Sequence, residues 1–465
     1  MASVALIGVE ARHAAFQGDE WSYAFRLARQ PLLPAVFDPP YGSYLIAFPM
    51  LIYTGLLKVF GLGSYLPYRI VGLGLLLAAV AIFFELVRRR VGALTALPMA
   101  ILLLFFGSGS EVVAVPTRMP GQVALTAGLG MLIALERRDL RGDVVACLLL
   151  FIALGSHPLG LAFAAAALTS LALRPAGERL RRWWVVVPPI ALFALWWVTL
   201  HGSFPGSTNP SIGEVLSFAA NSFVATCGAA AGLFRAPWTS DADFINPLSV
   251  ALTIAFVIAI VARLIYRPAS ATMWVALAAL AAALVAPGLA PGGFLANIRQ
   301  PDASRYLYPN TFLLFLVGAE AIADIKFSSA MRRAILTAAL AIFAVSLISN
   351  VRLLIDRANG YGEDGSLLRA KLAGAELARS RSASVVPTDP DWEAANLQLA
   401  FSIGIPAPMS AAALAAYYTV NDAYGTPAYS QSELRSAPED LQRVAADELQ
   451  SALKLNGGPK APTAP

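Results

Sequence analysis

The sequence predicts an all-α polytopic membrane protein, and two observations predict it: the composition and the recurrence of long apolar runs. Hydrophobic residues make up 57% of the 465 residues, charged residues only 14%, and the mean hydropathy is +0.64. Soluble domains carry roughly a quarter charged residues. Runs of about 17–20 apolar residues, the length that spans a hydrocarbon core, recur along most of the chain.

Short basic clusters between the apolar runs indicate which loops face the cytoplasm, because cytoplasmic loops of membrane proteins are enriched in Lys and Arg. The clusters are Arg88-Arg89-Arg90; Arg137, Arg138 and Arg141; Arg174, Arg179, Arg181 and Arg182; Arg263 and Arg267; and Lys326, Arg332 and Arg333. The positive-inside rule thus accounts for the net charge of +5, and no nucleic-acid partner is predicted.

The alternation of these clusters predicts about ten crossings between residues 65 and 350, preceded by a first outer loop at 10–64. The predicted crossings are 65–87, 92–108, 119–136, 143–155, 158–173, 183–201, 247–266, 271–289, 306–325 and 334–350. A further apolar segment, 215–234, falls in an outer stretch. We expect residues 43–60 to form a helix or hairpin that lies at the outer interface.

Residues 1–350 are therefore predicted to form the transmembrane domain, and residues 351–465 a small extracytoplasmic C-terminal segment. The last residues, NGGPKAPTAP, are polar and rich in proline, so we expect them to be disordered. The apolar stretch at 4–9 is too short to cross a membrane. We therefore expect that a first span is missing before the outer loop.

Several other classes of protein are not expected. The two cysteines and three histidines are widely separated and form neither a disulfide framework nor a zinc pattern. The sequence contains no Walker A loop and no strand-anchored GxGxxG, which argues against an ATP-driven pump and a nucleotide-binding enzyme.

The stretch FQGDEWSYAFRLARQ, at residues 16–30, breaks the apolar pattern. On a helix that starts near Gly18, the side chains of Asp19, Tyr23 and Arg26 share one face at i, i+4 and i+7. A carboxylate on that face, outside the membrane, can meet a substrate that arrives along the membrane surface. The alternative role for Asp19 is to cap the helix or to complement its dipole.

Three stretches resemble the GT-C superfamily of membrane glycosyltransferases, which includes protein O-mannosyltransferases and the enzymes that add aminoarabinose to lipid A. The first is DE at 19–20, followed by Tyr and Ala. The second is PPY at 39–41, which leads into 43–60 and then into YR at 68–69, the opening of a long helix. The third is SRYLYP at 304–309, at the start of a late helix.

This resemblance implies a GT-C-like helical bundle with interface helices on its outer side. It also implies a glycosyltransferase of the plasma (inner) membrane that moves a hexosyl or pentosyl group from a polyprenyl-phosphate donor, with inversion. The acceptor would be a lipid, a polysaccharide or a protein, and membrane lipids would be the other partners. The active site and the C-terminal tail would then lie on the extracytoplasmic side.

The resemblance also implies roles for residues of the first outer loop. We expect Asp19 to be the catalytic base. Glu20 would orient the acceptor, support Asp19 or help to hold a divalent cation, and Tyr23 and Tyr41 would form the active-site wall. The sequence does not identify a cofactor. Mg²⁺ and Mn²⁺ are the candidates, because carboxylate oxygens suit these metal ions.

The chemistry of transfer agrees with these residue types. An inverting transfer needs one base for the acceptor hydroxyl, and a phosphate leaves without a general acid, so one carboxylate suffices. The leaving phosphate needs positive charge, which guanidinium groups supply well. The candidates on the outer side are Arg305, Arg299 and Arg118. For Arg305 the alternative is an interface anchor beside two tyrosines.

Two other functions are compatible with the sequence. A transporter of lipid or polysaccharide would carry ionisable residues deep within its spans, whereas the middle parts of these spans are nearly free of charge. A non-catalytic membrane scaffold of the same fold is the second alternative. Activity that depends on Asp19 separates that scaffold from an enzyme.

Overall fold

The protein consists of helices and connecting loops in a computed structural model that describes residues 14–38, 44–200, 209–234, 243–290, 299–323, 325, 329–381 and 407–455. Three sequence-based expectations lie outside these ranges. They are the missing span before residue 10, the position of Tyr41 and the disordered end at 456–465.

Three short helices form the first outer loop and precede the long helices. They are α1 (Asp19–Arg29), α2 (Leu32–Phe37) and α3 (Ala47–Phe60). With 14 residues, α3 is shorter than the roughly 20 residues that cross a bilayer. One side of it buries Met50 and Tyr53, while Leu51 and Val59 are exposed. This arrangement agrees with the predicted interface helix.

The membrane bundle follows as a series of mostly apolar helices around one continuous core, with the short basic helix Ala176–Arg182 among them. In chain order they are α4 (Leu66–Val91), α5 (Ala93–Leu104), α6 (Ser110–Val113), α7 (Met119–Glu136), α8 (Leu140–Leu154), α9 (Gly160–Ala172), α10 (Ala176–Arg182), α11 (Val187–Leu200), α12 (Ile212–Ala231), α13 (Pro247–Tyr266), α14 (Ala271–Val285) and α15 (Ser304–Ile322). Aromatic side chains fill the middle of the core, where the rings of Phe83 and Phe312 lie edge to face at 5.2 Å.

Within the described ranges, six helices are long and apolar enough to cross a membrane, and up to eight if each of two bent pairs is one span. The six are Leu66–Val91, Pro116–Glu136, Ile212–Ala231, Pro247–Tyr266, Ala271–Leu289 and Thr337–Arg381. The predicted crossings at 143–155 and 158–173 are helices of only 15 and 13 residues here. The predicted division of the chain stays a prediction: a first outer loop at 10–64, about ten spans between 65 and 350, and a C-terminal segment at 351–465.

Among the described residues, the basic clusters at 88–90, 137–141, 174–182 and 263–267 meet at one end of the bundle, which we call the basic end. Arg90 pairs with Glu136 and, through Nε at 2.8 Å, with Glu320. Arg182 pairs with buried Asp143. The opposite end of α4 carries Tyr65 and the first outer loop. The 26 residues of α4 span about 39 Å at 1.5 Å per residue, so the outer loop and the basic end lie on opposite sides of the bundle.

Helix α12 meets the length and composition test for a span, yet both of its ends contact residues near the outer loop. The ring of Phe218 lies 5.7 Å from that of Tyr306 at the start of α15. Near the other end, Ala229 O accepts a hydrogen bond from Asn350, whose Oδ1 in turn accepts from Ser108. The placement of the 215–234 segment on the outer side stays a prediction.

The C-terminal helices are α16 (Ser329–Arg381), α17 (Ala411–Tyr424), α18 (Gln431–Ser436) and α19 (Glu439–Leu455). Helix α16 continues unbroken through the predicted boundary at 350/351. The described C-terminal residues share a hydrophobic core with the first outer loop. Trp21 of α1 contacts the ring of Tyr417 edge to face at 6.0 Å. The C-terminal helices therefore lie on the same side of the bundle as Asp19.

Candidate active site at the start of the first outer helix

Asp19 stands at the beginning of α1 because the backbone turns sharply just before it. Gly18 is the N-cap residue and has φ +46°, in a region that favours glycine. The N-cap position itself provides no side-chain capping hydrogen bond. Asp19 and Glu20 fill the first turn, where negative charge complements the helix dipole. The Asp19 side chain thus does not cap the helix, but the helix dipole stabilises its negative charge.

The Asp19 carboxylate instead forms an ion pair with Arg118. Arg118 Nη1 lies 3.1 Å from Asp19 Oδ2, and Arg118 Nε lies 3.0 Å from Glu111 Oε2. Arg118 ends the short 3₁₀ turn Pro116–Arg118, which leads directly into α7. All three side chains are between one-fifth and one-third exposed, so solvent and a ligand both have access to the cluster.

Arg305 joins the same cluster from the start of α15. Its Nη1 lies 3.6 Å from Glu111 Oε2, and its guanidinium carbon lies 5.1 Å from the centre of the Tyr306 ring. The contact with Tyr306 is also what an interface anchor would make, so both sequence-based roles of Arg305 fit its surroundings. We call Asp19, Glu111, Arg118 and Arg305 the charged cluster.

Arg299 lies near this cluster in the loop before α15. Burial lowers the pKa of its guanidinium, and the positive charge of nearby Arg305 acts in the same direction. The three arginines that the sequence singled out as phosphate ligands therefore gather on the outer side with Asp19. Their role stays a prediction.

Glu20 does not face the charged cluster. Its side chain is 1% exposed and points between α1, α3 and the start of α4. Tyr53 Oη donates to Glu20 Oε1 at 2.9 Å, and Tyr65 Oη and the Gln17 backbone N–H donate to Oε2 at 2.8 and 2.9 Å. Burial raises the pKa of the Glu20 carboxyl to about 7. The roles predicted for Glu20 stay predictions.

The tyrosine predicted for the active-site wall, Tyr23, is buried and forms a side-chain hydrogen bond with Tyr44. The charges of Asp19, Arg118 and Arg305 all act on Tyr44. Tyr44 therefore stands beside the charged cluster, and the sequence analysis did not single it out. Tyr41, the other predicted wall residue, lies outside the described residues.

Glu111 is the second residue that sequence reasoning missed. It is the only acidic residue between Glu85 and Glu136 in the sequence, and it comes seven positions before Arg118. An isolated acid between two apolar runs was the available signal, since ionisable residues in such regions are commonly functional or paired.

The charged cluster combines a carboxylate that can accept a proton with guanidinium groups that can bind an anion. Among the described residues, no group of three or more His, Cys, Asp and Glu side chains is arranged to hold a metal ion. The predicted Mg²⁺ or Mn²⁺ therefore has no ligand set among these residues, and a role for a metal stays a prediction.

No protein-family model and no curated protein matches this chain. Among solved structures, it is similar to ArnT from Cupriavidus metallidurans bound to undecaprenyl phosphate, with 14% identity and a TM-score of 0.51. That similarity covers 98% of this chain and 89% of the ArnT chain. The apo state of the same protein is 15% identical, with a TM-score of 0.43, and the match covers 98% and 76% of the two chains.

ArnT is the lipid A aminoarabinose transferase, a GT-C glycosyltransferase. At this level of identity the likeness concerns the fold. The chain has an ArnT-like GT-C helical membrane fold, which confirms the fold that the three sequence stretches predicted.

Proposed function

We propose that this protein is an integral membrane glycosyltransferase that moves a sugar from a polyprenyl-phosphate donor to an acceptor outside the cytoplasm. The observation that carries the proposal is the ion pair between Asp19 and Arg118, with Arg305 joined to it through Glu111. A potential base and potential phosphate ligands thus meet at the end of the bundle opposite the basic loops. The ArnT-like fold, solved with undecaprenyl phosphate bound to ArnT, supports the same class of donor.

The proposed reaction is a single displacement. The acceptor hydroxyl oxygen attacks the anomeric carbon of the donor sugar while Asp19 takes the hydroxyl proton. The bond between the anomeric carbon and the phosphate oxygen breaks, and polyprenyl phosphate leaves with the electron pair. A new glycosidic bond forms on the opposite face of the sugar, so the configuration inverts.

The arginines of the charged cluster stabilise the leaving group in this scheme. Charge develops on the departing phosphate oxygen in the transition state, and preorganised cations beside it lower the barrier. Arg118 would hold Asp19 and reach the phosphate from the same side, while Arg305 would contact it from α15. Glu111 balances the two arginines when the donor is absent.

The orientation in the membrane is part of the proposal. Basic loops remain cytoplasmic in membrane proteins, and here they gather at the basic end. Asp19 and the described C-terminal helices would then face the extracytoplasmic side of the plasma (inner) membrane. The acceptor is reached from that side and is a lipid, a polysaccharide or a protein.

The proposal is tested with membranes that contain this protein as their only glycosyltransferase of this type. A panel of labelled polyprenyl-phosphate pentoses and hexoses is supplied, with the matching nucleotide sugars as control donors. We expect transfer from at least one lipid-linked donor and none from the nucleotide sugars. Transfer from a nucleotide sugar, or binding of polyprenyl phosphate without any transfer across the panel, would contradict the proposed function.

A further inference from the structure

The loop between α8 and α9 is tightly built and carries His157. A Cβ at Gly155 would lie 2.8 Å from the Phe48 ring and 3.2 Å from Phe151 O, so only glycine fits there without movement. Phe48 N donates to Gly155 O at 3.3 Å. Ser156 is fully buried, and its hydroxyl donates to Ile152 O at 2.6 Å. These contacts fix the loop against the start of α3.

The structure also fixes the tautomer of His157. The backbone N–H of Leu159 donates to His157 Nδ1 at 3.1 Å. A backbone N–H can only donate, so Nδ1 must carry a lone pair. In the neutral ring the proton therefore resides on Nε2, which becomes a hydrogen-bond donor. Within the described part of the chain, Nε2 itself has no hydrogen-bond acceptor.

His157 stands close to the charged cluster. Its ring lies edge to face against that of Tyr44, with the ring centres 5.6 Å apart. The charges of Arg118 and Arg305 act on the imidazole, and no acidic group opposes them among the groups that shift it. Loss of hydration, together with these two cations, lowers the pKa of His157 to about 3. The ring is therefore neutral at any physiological pH.

We propose that the Nε2–H of His157 donates a hydrogen bond to the phosphate of the lipid-linked donor, beside Arg118 and Arg305. This inference rests on the proposed function and adds a ligand of a different kind. A neutral N–H with a locked tautomer gives a directed bond to a phosphate oxygen and adds no positive charge to the site. An anion is also the ligand that the two neighbouring guanidinium groups favour.

A binding measurement with a short-chain polyprenyl phosphate tests this role without requiring the sugar or the acceptor. His157→Phe keeps a ring against Tyr44 but removes the N–H. We expect it to weaken binding roughly tenfold, or about 1.4 kcal/mol, because it removes a hydrogen bond to a charged group. His157→Gln places an amide N–H near the position of Nε2 and should restore most of the affinity. Ser156→Ala removes a contact within the same loop but no group at the phosphate; it is the matched control for loosening of the loop and should keep most of the wild-type affinity.

An NMR measurement with isotope-labelled histidine adds an observable that a purely structural role of His157 would not change. The chain has only three histidines, so the His157 signals can be assigned by their loss in His157→Phe. We expect an Nε2–H tautomer that does not titrate between about pH 5 and 8, and a shift of the Nε2 signal when polyprenyl phosphate binds. An Nδ1–H ring, or titration near the usual value, would overturn the inference.

The outcomes separate the two proposals. If the wild type binds no polyprenyl phosphate, the proposed function fails and this inference fails with it. If the wild type binds and His157→Phe binds equally well, with unchanged thermal stability, then only the role of His157 is wrong.

Discussion

Arg118 and Asp19 form an ion pair, with 3.1 Å between Nη1 and Oδ2, although 99 residues separate them in the sequence. The pair joins the start of the first outer helix to the turn that leads into α7. Because Arg118 also contacts Glu111, the position of the predicted base is tied to the predicted phosphate site. The following predictions test separate parts of this arrangement.

Arg305→Ala should weaken the binding of polyprenyl phosphate. Charge-assisted hydrogen bonds from a guanidinium to phosphate contribute about 1.5–3 kcal/mol, so we expect a loss of roughly 10- to 100-fold in affinity. Arg305→Lys should recover part of the loss, because it keeps the charge but not the planar fork. The measurement is a titration in detergent with a short-chain polyprenyl phosphate.

Arg29→Ala is the matched control for this change, since it removes an equal charge from an exposed position at the far end of α1. It should leave the affinity unaltered. Equal affinity for Arg305→Ala and the wild type would show that Arg305 is only an interface anchor.

The buried Glu20 carboxyl should make the stability of the protein depend on pH. The folded protein holds the Glu20 proton up to about pH 7, whereas an ordinary glutamate releases it near pH 4.5. Unfolding therefore releases a proton between these values, and the free energy of unfolding falls as the pH rises from 4.5 through 7. The limit is on the order of 3 kcal/mol, since one pKa unit corresponds to about 1.4 kcal/mol.

Thermal unfolding in detergent between pH 5 and 8 checks this expectation. The groups that face Glu20 are Asp19 on the same helix and the hydroxyls of Tyr53, Tyr65 and Tyr68, none of which adds a cation. Glu20→Gln mimics the protonated form and should flatten the decline in Tm. Glu439→Gln, at an exposed position, should keep the slope of the wild type. An unchanged slope in Glu20→Gln would contradict the assignment.

Gly61→Ala should loosen the contact between the first outer loop and the C-terminal helices. Gly61 has φ +58°, and a Cβ there would lie 2.5 Å from Tyr424 O. The next residue, Leu62, donates its backbone N–H to the same carbonyl at 2.9 Å. Both the backbone conformation and the clash oppose alanine, and we expect a loss of about 1–3 kcal/mol in stability.

Gly63→Ala offers a direct comparison because a Cβ at Gly63 would meet nothing within 4 Å and its φ is ordinary. A lower Tm in Gly61→Ala than in Gly63→Ala is the expected result. If both variants have the same Tm, the contact between Gly61 and Tyr424 does not contribute to the stability of the protein.

Much of the arrangement followed from the order of apolar runs and charges. The alternation of basic clusters placed Arg118 and Arg305 on the same side as Asp19, and the structure brings all three into one cluster. The spacing of four residues also placed Tyr23 on the face of Asp19. Patterns of this kind are local, or they depend only on the side of the membrane on which a loop lies. They can therefore be recognised in a single sequence.

Other features depend on contacts between distant segments, which one sequence does not contain. Neighbouring positions on a helix point about 100° apart, yet only the tertiary structure shows that Glu20 meets Tyr53 and Tyr65. Helix α16 likewise continues past residue 350, where the sequence becomes polar. Its later turns are buried against the outer loop and the C-terminal helices through residues such as Leu372.

The most direct test of the account compares sugar transfer by the wild type and by Asp19→Asn, with the binding of polyprenyl phosphate measured in the same preparations. Asp38→Asn changes another carboxylate of the first outer loop and serves as the control. We predict that Asp19→Asn binds the lipid phosphate but transfers sugar at least about a hundredfold more slowly, because the acceptor proton has no base. Transfer by Asp19→Asn at the wild-type rate would show that Asp19 serves only the helix and its ion pair with Arg118.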